Sequence, residues 1–182
     1  MLDYITMGMV IHEPLTGYDI KREIETGIGN FYTASYGNLY PALKRLTARG
    51  CLTMTEEIHG KRVKKYYKIT QRGKEEFLEW LSKPLAPNAG SNALLAKIYF
   101  FGELPADIRK QRLVEYELHH QQALRQLEAM ERRFTAPDAD GGYFELSTLY
   151  LGLQHLQDTI RWFQHIEAGK PLSTFVERRP RP

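Results

Sequence analysis

Residues 33–70 read TASYGNLYPALKRLTARGCLTMTEEIHGKRVKKYYKIT, and this stretch decides the fold of the chain. Its first part predicts a helix, with Ser35 as a candidate N-cap and Gly50 as the stop signal. The apolar side of this helix is a leucine row at Leu39, Leu43 and Leu46. Pro41 conflicts with the pattern, because proline has no backbone N–H to donate inside a helix. Either the helix begins later than Ser35 or it is kinked.

Two short strands follow this helix. They are predicted at Thr53–Ile58 and Val63–Thr70, with a basic turn at His59–Arg62 between them. The order helix, strand, basic turn, strand is that of a winged helix-turn-helix, a domain whose second helix enters the DNA major groove. The predicted fold is therefore mainly α with a small β-hairpin wing.

Positive charge is concentrated in the same region. From Tyr36 to Lys74 the chain has ten basic residues and two acids, Glu56 and Glu57, for a net charge of +8, whereas the whole chain carries +3. A local excess of this kind is typical of a phosphate-binding face. The predicted DNA contacts are Tyr36, Asn38, Tyr40, Lys44, Arg45, Lys61, Arg62, Lys64 and Lys65. Among these residue types, Asn and Arg suit base edges and Lys mainly supplies charge.

The flanking segments complete the predicted domain. An apolar helix over 2–12 precedes Pro14, and a second helix begins at the candidate N-cap Thr16. Its apolar face is Ile20, Ile24 and Ile28. A fourth helix, capped by Thr70, runs through Leu81.

Three motifs resemble the PadR family of transcriptional regulators. They are TGYDI at 16–20, LYPALKRL at 39–46 and YYKITQRG at 66–73, in the family's order over about residues 1–83. FYTAS at 31–35 is similar to the virulence-activator branch, and the second half resembles the helical C-terminal domain of the longer members. The resemblance implies a homodimer, usually a repressor, that binds a near-palindromic double-stranded DNA operator. It also implies a response to small aromatic or lipophilic molecules.

The second half predicts a separate helical domain. The Pro/Gly/Ser/Asn-rich segment KPLAPNAGSN ends the basic half. Predicted limits are 1–83 for the winged helix-turn-helix domain, 84–92 for a linker, 93–170 for the helical dimerisation domain and 171–182 for a flexible tail. Residues 84–182 contain twelve basic and twelve acidic residues, so this half has no bias toward phosphate. A short helix is expected at 93–102 and long helices from Pro105 to about Phe134 and over 143–167.

Both long helices carry heptad stripes. The first stripe is Leu113, Tyr116, His120, Ala123, Leu127, Met130 and Phe134, and the second is Leu146, Leu149, Leu153, Leu156, Ile160 and Phe163. An antiparallel hairpin within one chain would bury part of this surface. Since a two-helix hairpin of this size needs further burial, the two stripes are predicted to build a dimer interface, with the second stripe as its contact residues. The alternative is that both helices pack only on their own N-terminal domain.

Aromatic residues of the second half form a predicted effector site. Tyr99, Tyr116, Tyr150 and Trp162 each combine an apolar ring with a polar group that would orient an aromatic ligand. The alternative is that these rings belong to an ordinary core.

The sequence gives little support to a metal-binding, enzymatic or membrane-spanning protein. His119 and His120 project about 100° apart on a helix, and no cluster has zinc-site spacing, so neither metal nor cofactor is expected. Enzyme motifs are missing, and no apolar run is long enough to span a membrane. The single cysteine, Cys51, and the lack of a signal peptide predict a cytoplasmic protein. A winged-helix protein-interaction module without DNA binding remains the alternative function.

Overall fold

The computed structural model describes residues 1–59, 62–86, 89–133 and 142–175, which fall into two compact units, Met1–Pro105 and Ala106–Pro182. The first unit contains α1 (Leu2–Met9), β1 (Leu15–Thr16), α2 (Gly17–Gly27), α3 (Tyr36–Ala48), β2 (Leu52–His59), β3 (Arg62–Ile69), α4 (Gln71–Ser82), α5 (Ser91–Tyr99) and a 3₁₀ turn at Phe101–Glu103. The second contains α6 (Ala106–Glu131), α7 (Tyr143–Glu167) and a 3₁₀ turn at Leu172–Thr174. No helix in the described ranges has both the length and the mean hydropathy to cross a bilayer.

Side-chain caps set the starts of α2 and α4, as predicted. The Asp19 backbone N–H donates to Thr16 Oγ1 at 3.2 Å, and the Gly73 N–H donates to Thr70 Oγ1 at 3.0 Å. Each bond satisfies a backbone donor that has no partner within its own helix. The predicted helix starts at these two threonines are confirmed.

The helix α3 is continuous across Pro41, from its N-cap Ser35 to Ala48. The candidate N-cap Ser35 is therefore confirmed, and the alternative of a later start is excluded. Pro41 lies in the second turn and is exposed, so water can reach the Gly37 carbonyl that Pro41 cannot bond. At the other end, Gly50 adopts φ +72° and its N–H donates to Thr47 O at 3.0 Å. The Cys51 N–H donates to Leu46 O at 2.9 Å, which completes a Schellman motif.

The wing is part of a three-stranded antiparallel sheet with the order β1-β3-β2. β2 and β3 pair from Leu52↔Ile69 to His59↔Arg62, and the residues between them lie outside the described ranges. The sequence prediction of two strands missed β1, which pairs with β3 at Leu15↔Tyr67 and Thr16↔Tyr66. Two residues are too few to produce an alternating pattern, and β1 exists only because β3 lies beside it.

The core of the first unit brings the predicted apolar faces together. Fully buried side chains come from α1, α2, α3 and α4 and from the residue that follows α2: Ile5, Met7, Ile20, Ile24, Ile28, Leu39, Leu43, Leu46, Phe77 and Leu81. The exposed side of α3 is thus set by the burial of its leucine row.

The helix α5 packs within the first unit. Lys97, which is almost fully buried, donates from Nζ to Trp80 O at 2.6 Å and to Lys83 O, at the C-terminus of α4. The Phe100 ring lies against Gly8, where a Cβ would come within 2.6 Å of it. The division between compact units at Pro105 therefore comes later in the chain than the predicted linker at 84–92.

The second unit is an antiparallel α6–α7 hairpin. Gln164 Nε2 donates to Glu117 Oε1 at 2.8 Å, and a Cβ at Gly152 would lie 2.9 Å from Leu127. Met130, predicted to lie in the seam, is half-exposed. Leu124 packs in the seam with Leu127 instead, because a straight helix drifts away from a strict seven-residue repeat. The predicted position Phe134 lies outside the described residues.

Candidate nucleic-acid interface

The outer face of α3 is the most prominent part of the candidate interface. Gly37, Pro41, Lys44 and Ala48 recur at helical spacing, opposite the buried leucine row, and all four are exposed. Three of the four are small or compact, so an approaching surface can come close to the helix backbone. Lys44 supplies the positive charge at the centre of this row.

Aromatic side chains border the α3 face on one side. The rings of Tyr36 and Tyr40 stack with centroids 5.9 Å apart, and the two residues are 43% and 50% exposed. Lys21 Nζ of α2 lies 5.0 Å from the Tyr36 ring centroid, a cation–π geometry. Tyr18 of α2 is 61% exposed. The sequence prediction included Tyr36 and Tyr40 but left out Tyr18 and Lys21, although Tyr18 lies in the TGYDI motif.

Two arginines border α3 on the other side, and both are held by carboxylates. Arg45 Nη2 donates to Asp3 Oδ1 of α1 at 2.6 Å. Arg49 Nη1 lies 3.6 Å from Asp3 Oδ2, and Arg49 also pairs with Glu76 of α4. Arg45 was predicted to contact DNA, and charge counting did not reveal its partner because Asp3 lies 42 positions earlier in the chain.

Asn38 has a role at the start of α3. Its Oδ1 accepts from the Ser35 backbone N–H at 2.9 Å, the carboxamide half of a capping box. This bond uses the oxygen of the Asn38 amide and leaves its NH₂ group outside the cap. Asn38 therefore orients the helix, in addition to its predicted contact with bases.

The basic residues of the wing lie on β3. Lys64 and Lys65 are both exposed, and they face Glu57 and Glu56 directly across the strands. Lys65 Nζ lies 3.4 Å from Glu56 Oε1. Arg62 pairs with His59 in the ladder, and Lys61 lies outside the described residues. The two acids of the basic segment are thus both in the wing.

Cys51 lies at the junction of α3 and the wing. It is fully buried, with Sγ 3.3 Å from Glu76 Oε2. Burial and the hydrogen bond to Glu76 raise the pKa of the Cys51 thiol. A raised pKa lowers the thiolate fraction, so this site does not favour redox chemistry.

The residues predicted to form a dimer interface lie inside the α6–α7 hairpin. Leu146, Leu149 and Leu153 form a buried cluster against Leu124 and Leu127 of the same chain. Ile160 and Phe163 are also buried, and Leu156 is half-buried. The stripe is apolar as predicted, but its partner within the described structure is the neighbouring helix α6.

The four residues predicted to form the effector site divide between the two units. Tyr99 belongs to α5 in the first unit, where its ring lies edge-on to Phe100. In the second unit, Tyr116 and Trp162 flank Phe163, with ring centroids 6.4 and 5.3 Å from the Phe163 ring. Burial raises the pKa of Tyr116 to about 12. Tyr150 is exposed and projects about 120° from Trp162 around the helix.

Comparison with known proteins identifies both halves of the chain. Residues 7–79 match the profile of the transcriptional regulator PadR-like family, and residues 92–169 match the virulence activator alpha C-terminal domain. The first match spans α2, α3 and the wing. The second spans most of α5 and both long helices.

Individual relatives include the negative transcriptional regulator PadR of Bacillus subtilis, which is 28% identical over 92% of this chain and 96% of its own length. A crystal structure of Bacillus subtilis PadR with operator DNA is 26% identical, covers 92% of this chain and 98% of its own, and has a TM-score of 0.46. A structure of the same protein with p-coumaric acid is 25% identical, with coverages of 92% and 97% and a TM-score of 0.42. With both halves matched in order, the chain combines a PadR-like transcriptional regulator domain with a virulence activator alpha C-terminal domain.

Proposed function

We propose that this protein is a homodimeric repressor that binds a near-palindromic operator and is released by a small aromatic effector. The observation that carries the proposal is the exposed row of α3 centred on Lys44, next to a wing with Lys64 and Lys65. A major groove about 12 Å wide admits a helix. We propose repression and not activation because the Bacillus subtilis relative is a negative transcriptional regulator.

Within this interface the side chains have different roles. Lys44 enters the groove, where the compact residues beside it allow α3 to approach the base edges. Tyr36 and Tyr40 lie where the chain enters α3 and contact the sugar–phosphate backbone. Arg45 orients α3 through Asp3, because it would have to give up a 2.6 Å ion pair to reach a base. Lys64 and Lys65 reach phosphates from the wing.

Fluorescence anisotropy with labelled operator and with unrelated DNA tests these roles. Lys44→Ala should weaken operator binding more than binding to unrelated DNA, since it removes a side chain from the groove. Lys64→Ala with Lys65→Ala should weaken binding to every sequence. It should also reduce the salt slope by about one unit for each phosphate that the wing no longer neutralises.

Lys110→Ala with Lys170→Ala is the matched control for the wing variant, because both lysines are exposed in the second unit and their substitution removes the same two charges. Equal decreases in affinity for this double control and the wing variant would contradict the wing assignment. No binding of the unmodified chain to any DNA would favour the protein-interaction module instead.

The dimer requires a surface other than the buried leucine stripe. The outer face of α7 carries Phe144 and Leu151, two turns apart, which are 78% and 71% exposed. Tyr143, edge-on to Phe144, extends this apolar patch. Large apolar side chains at such exposure mark a contact surface, so we assign this face to a second copy of the chain.

The effector site is proposed around Tyr116 and Trp162. Both rings contact Phe163, and together they form an aromatic wall within the second unit. An aromatic ligand inserted there would shift the balance between dimers that fit the operator and dimers that do not. p-Coumaric acid is the first probe, because the Bacillus subtilis relative binds it in a crystal.

A further inference from the structure

The two glutamates of the wing lie opposite its two central lysines. Glu56 faces Lys65 and Glu57 faces Lys64 in the β2–β3 ladder. They are the only acids among the twelve charged residues between Tyr36 and Lys74. Both acids therefore lie beside the lysines that the proposed function assigns to phosphate contact.

The register places one pair on each face of the wing. Side chains alternate along a strand, and residues directly opposite in an antiparallel pair share a face. Lys65 and Glu56 lie on the face that continues into the core at Tyr67, and Lys64 and Glu57 lie on the other face. DNA that approaches the wing from either side thus meets a lysine with a carboxylate beside it.

The Lys65–Glu56 ion pair is too exposed to add much to the stability of the fold, and Lys64 and Glu57 are exposed as well. Lys65 and Glu56 side chains are 56% and 52% exposed, with Nζ and Oε1 3.4 Å apart. Exposed ion pairs contribute little to folding, and solvent screens them. Such a pair can open when a phosphate arrives, but the carboxylate then stays close to the phosphate and repels it.

We infer that Glu56 and Glu57 are specificity-determining residues that limit the affinity of the wing for any DNA backbone. Glu56 does so by pairing with Lys65 in the free protein, and both carboxylates, which lie across the ladder from the two lysines, repel phosphates in the complex. Non-specific binding consists almost entirely of phosphate contacts. The two glutamates should therefore lower the affinity for unrelated DNA by their full effect. The inference rests on the proposed function, since it assumes that the wing contacts DNA.

The test measures the affinity of the full chain for a labelled unrelated duplex across a series of salt concentrations. Each of Glu56→Gln and Glu57→Gln should tighten binding about two- to fivefold, by removing one exposed electrostatic partner. The double variant should tighten it about tenfold and steepen the salt slope by up to about two units. Glu56→Asp with Glu57→Asp retains the charges and should bind like the unmodified chain.

Two controls separate a local effect from a change in net charge. Glu145→Gln with Glu167→Gln removes the same charge from exposed positions of α7 and should change affinity less than about twofold. In a Lys65→Gln background, Glu56→Gln should tighten binding less than in the unmodified chain, because only the repulsion between Glu56 and the phosphates remains to be removed. Thermal melting confirms that each variant is folded.

The inference is overturned if the double Gln variant has the affinity and salt slope of the unmodified chain. It is also overturned if the α7 control tightens binding equally. In both cases the unmodified chain still binds DNA, so the proposed function stands. If the unmodified chain binds no DNA, both the inference and the proposed function fail.

Discussion

Leu151 and Leu153 lie two residues apart on α7 and face in nearly opposite directions, so the same substitution should have different consequences at the two positions. Leu151 is 71% exposed, whereas Leu153 is 7% exposed and packs in the cluster with Leu124 and Leu127. Leu151→Asp should leave the hairpin folded and disrupt the dimer. Leu153→Asp should unfold the hairpin.

The size of each free-energy change follows from the surroundings of Leu151 and Leu153. Leu153→Asp removes a buried leucine, at about 2–5 kcal/mol, and places a carboxylate in an apolar seam, which adds several more. That sum is comparable with the whole stability of a small domain, about 5–15 kcal/mol. A dimer with two-fold symmetry buries Leu151 twice, at about 1.5–3 kcal/mol each. Removing both leucines should raise the dimer Kd by about two to four orders of magnitude.

Sedimentation over a concentration series measures the dimer Kd, and circular dichroism during heating measures the folding of each variant. Leu172→Asp is the control, since Leu172 is 67% exposed but lies after α7. An unchanged dimer Kd for Leu151→Asp would refute the assignment of the outer α7 face. A folded Leu153→Asp variant with an unchanged Tm would refute the hairpin packing.

Two further predictions concern the second unit. Burial lowers the pKa of His120 below its ordinary 6.5, with His119 and His155 acting in the same direction, so the folded state binds its proton less readily than the unfolded state. The Tm should therefore be unaffected by His120 above pH 6.5 and fall as the pH drops from there, and His120→Leu should weaken that dependence. In a Trp80→Phe background, p-coumaric acid should change Trp162 emission and lower operator affinity together; a change in neither would contradict the effector site.

The sequence predicted the elements that depend on local rules. Thr16 and Thr70 cap helices through their own hydroxyls, and Gly50 ends α3 because it alone among the neighbouring residues adopts a positive φ without strain. These signals need no knowledge of the rest of the chain. The positions of α2, α3 and α4 follow from them.

The sequence pattern could not predict which residues from distant parts of the chain contact each other. Arg45 is one of the basic residues in a charged segment, and only the packing of α1 on α3 brings Asp3 to it. Lys97 is an ordinary lysine in the sequence, and its burial depends on carbonyls at the C-terminus of α4. The leucine row at Leu146 and Leu153 was predicted to lie in a dimer interface, and in the described structure it packs on α6. Periodicity identifies an apolar face and not what covers it.

The most direct test of the central claim, that α3 and the wing bind an operator, is a DNase I footprint of the chromosomal region around this protein's own gene. We predict two protected half-sites with centres about 10–10.5 base pairs, or 34 Å, apart, as a dimer reading successive major grooves requires. Lys44→Ala should remove that protection while remaining folded and dimeric. Protection that persists unchanged in Lys44→Ala would contradict the assignment of α3, and no protection by the folded wild-type dimer would contradict operator binding in that region.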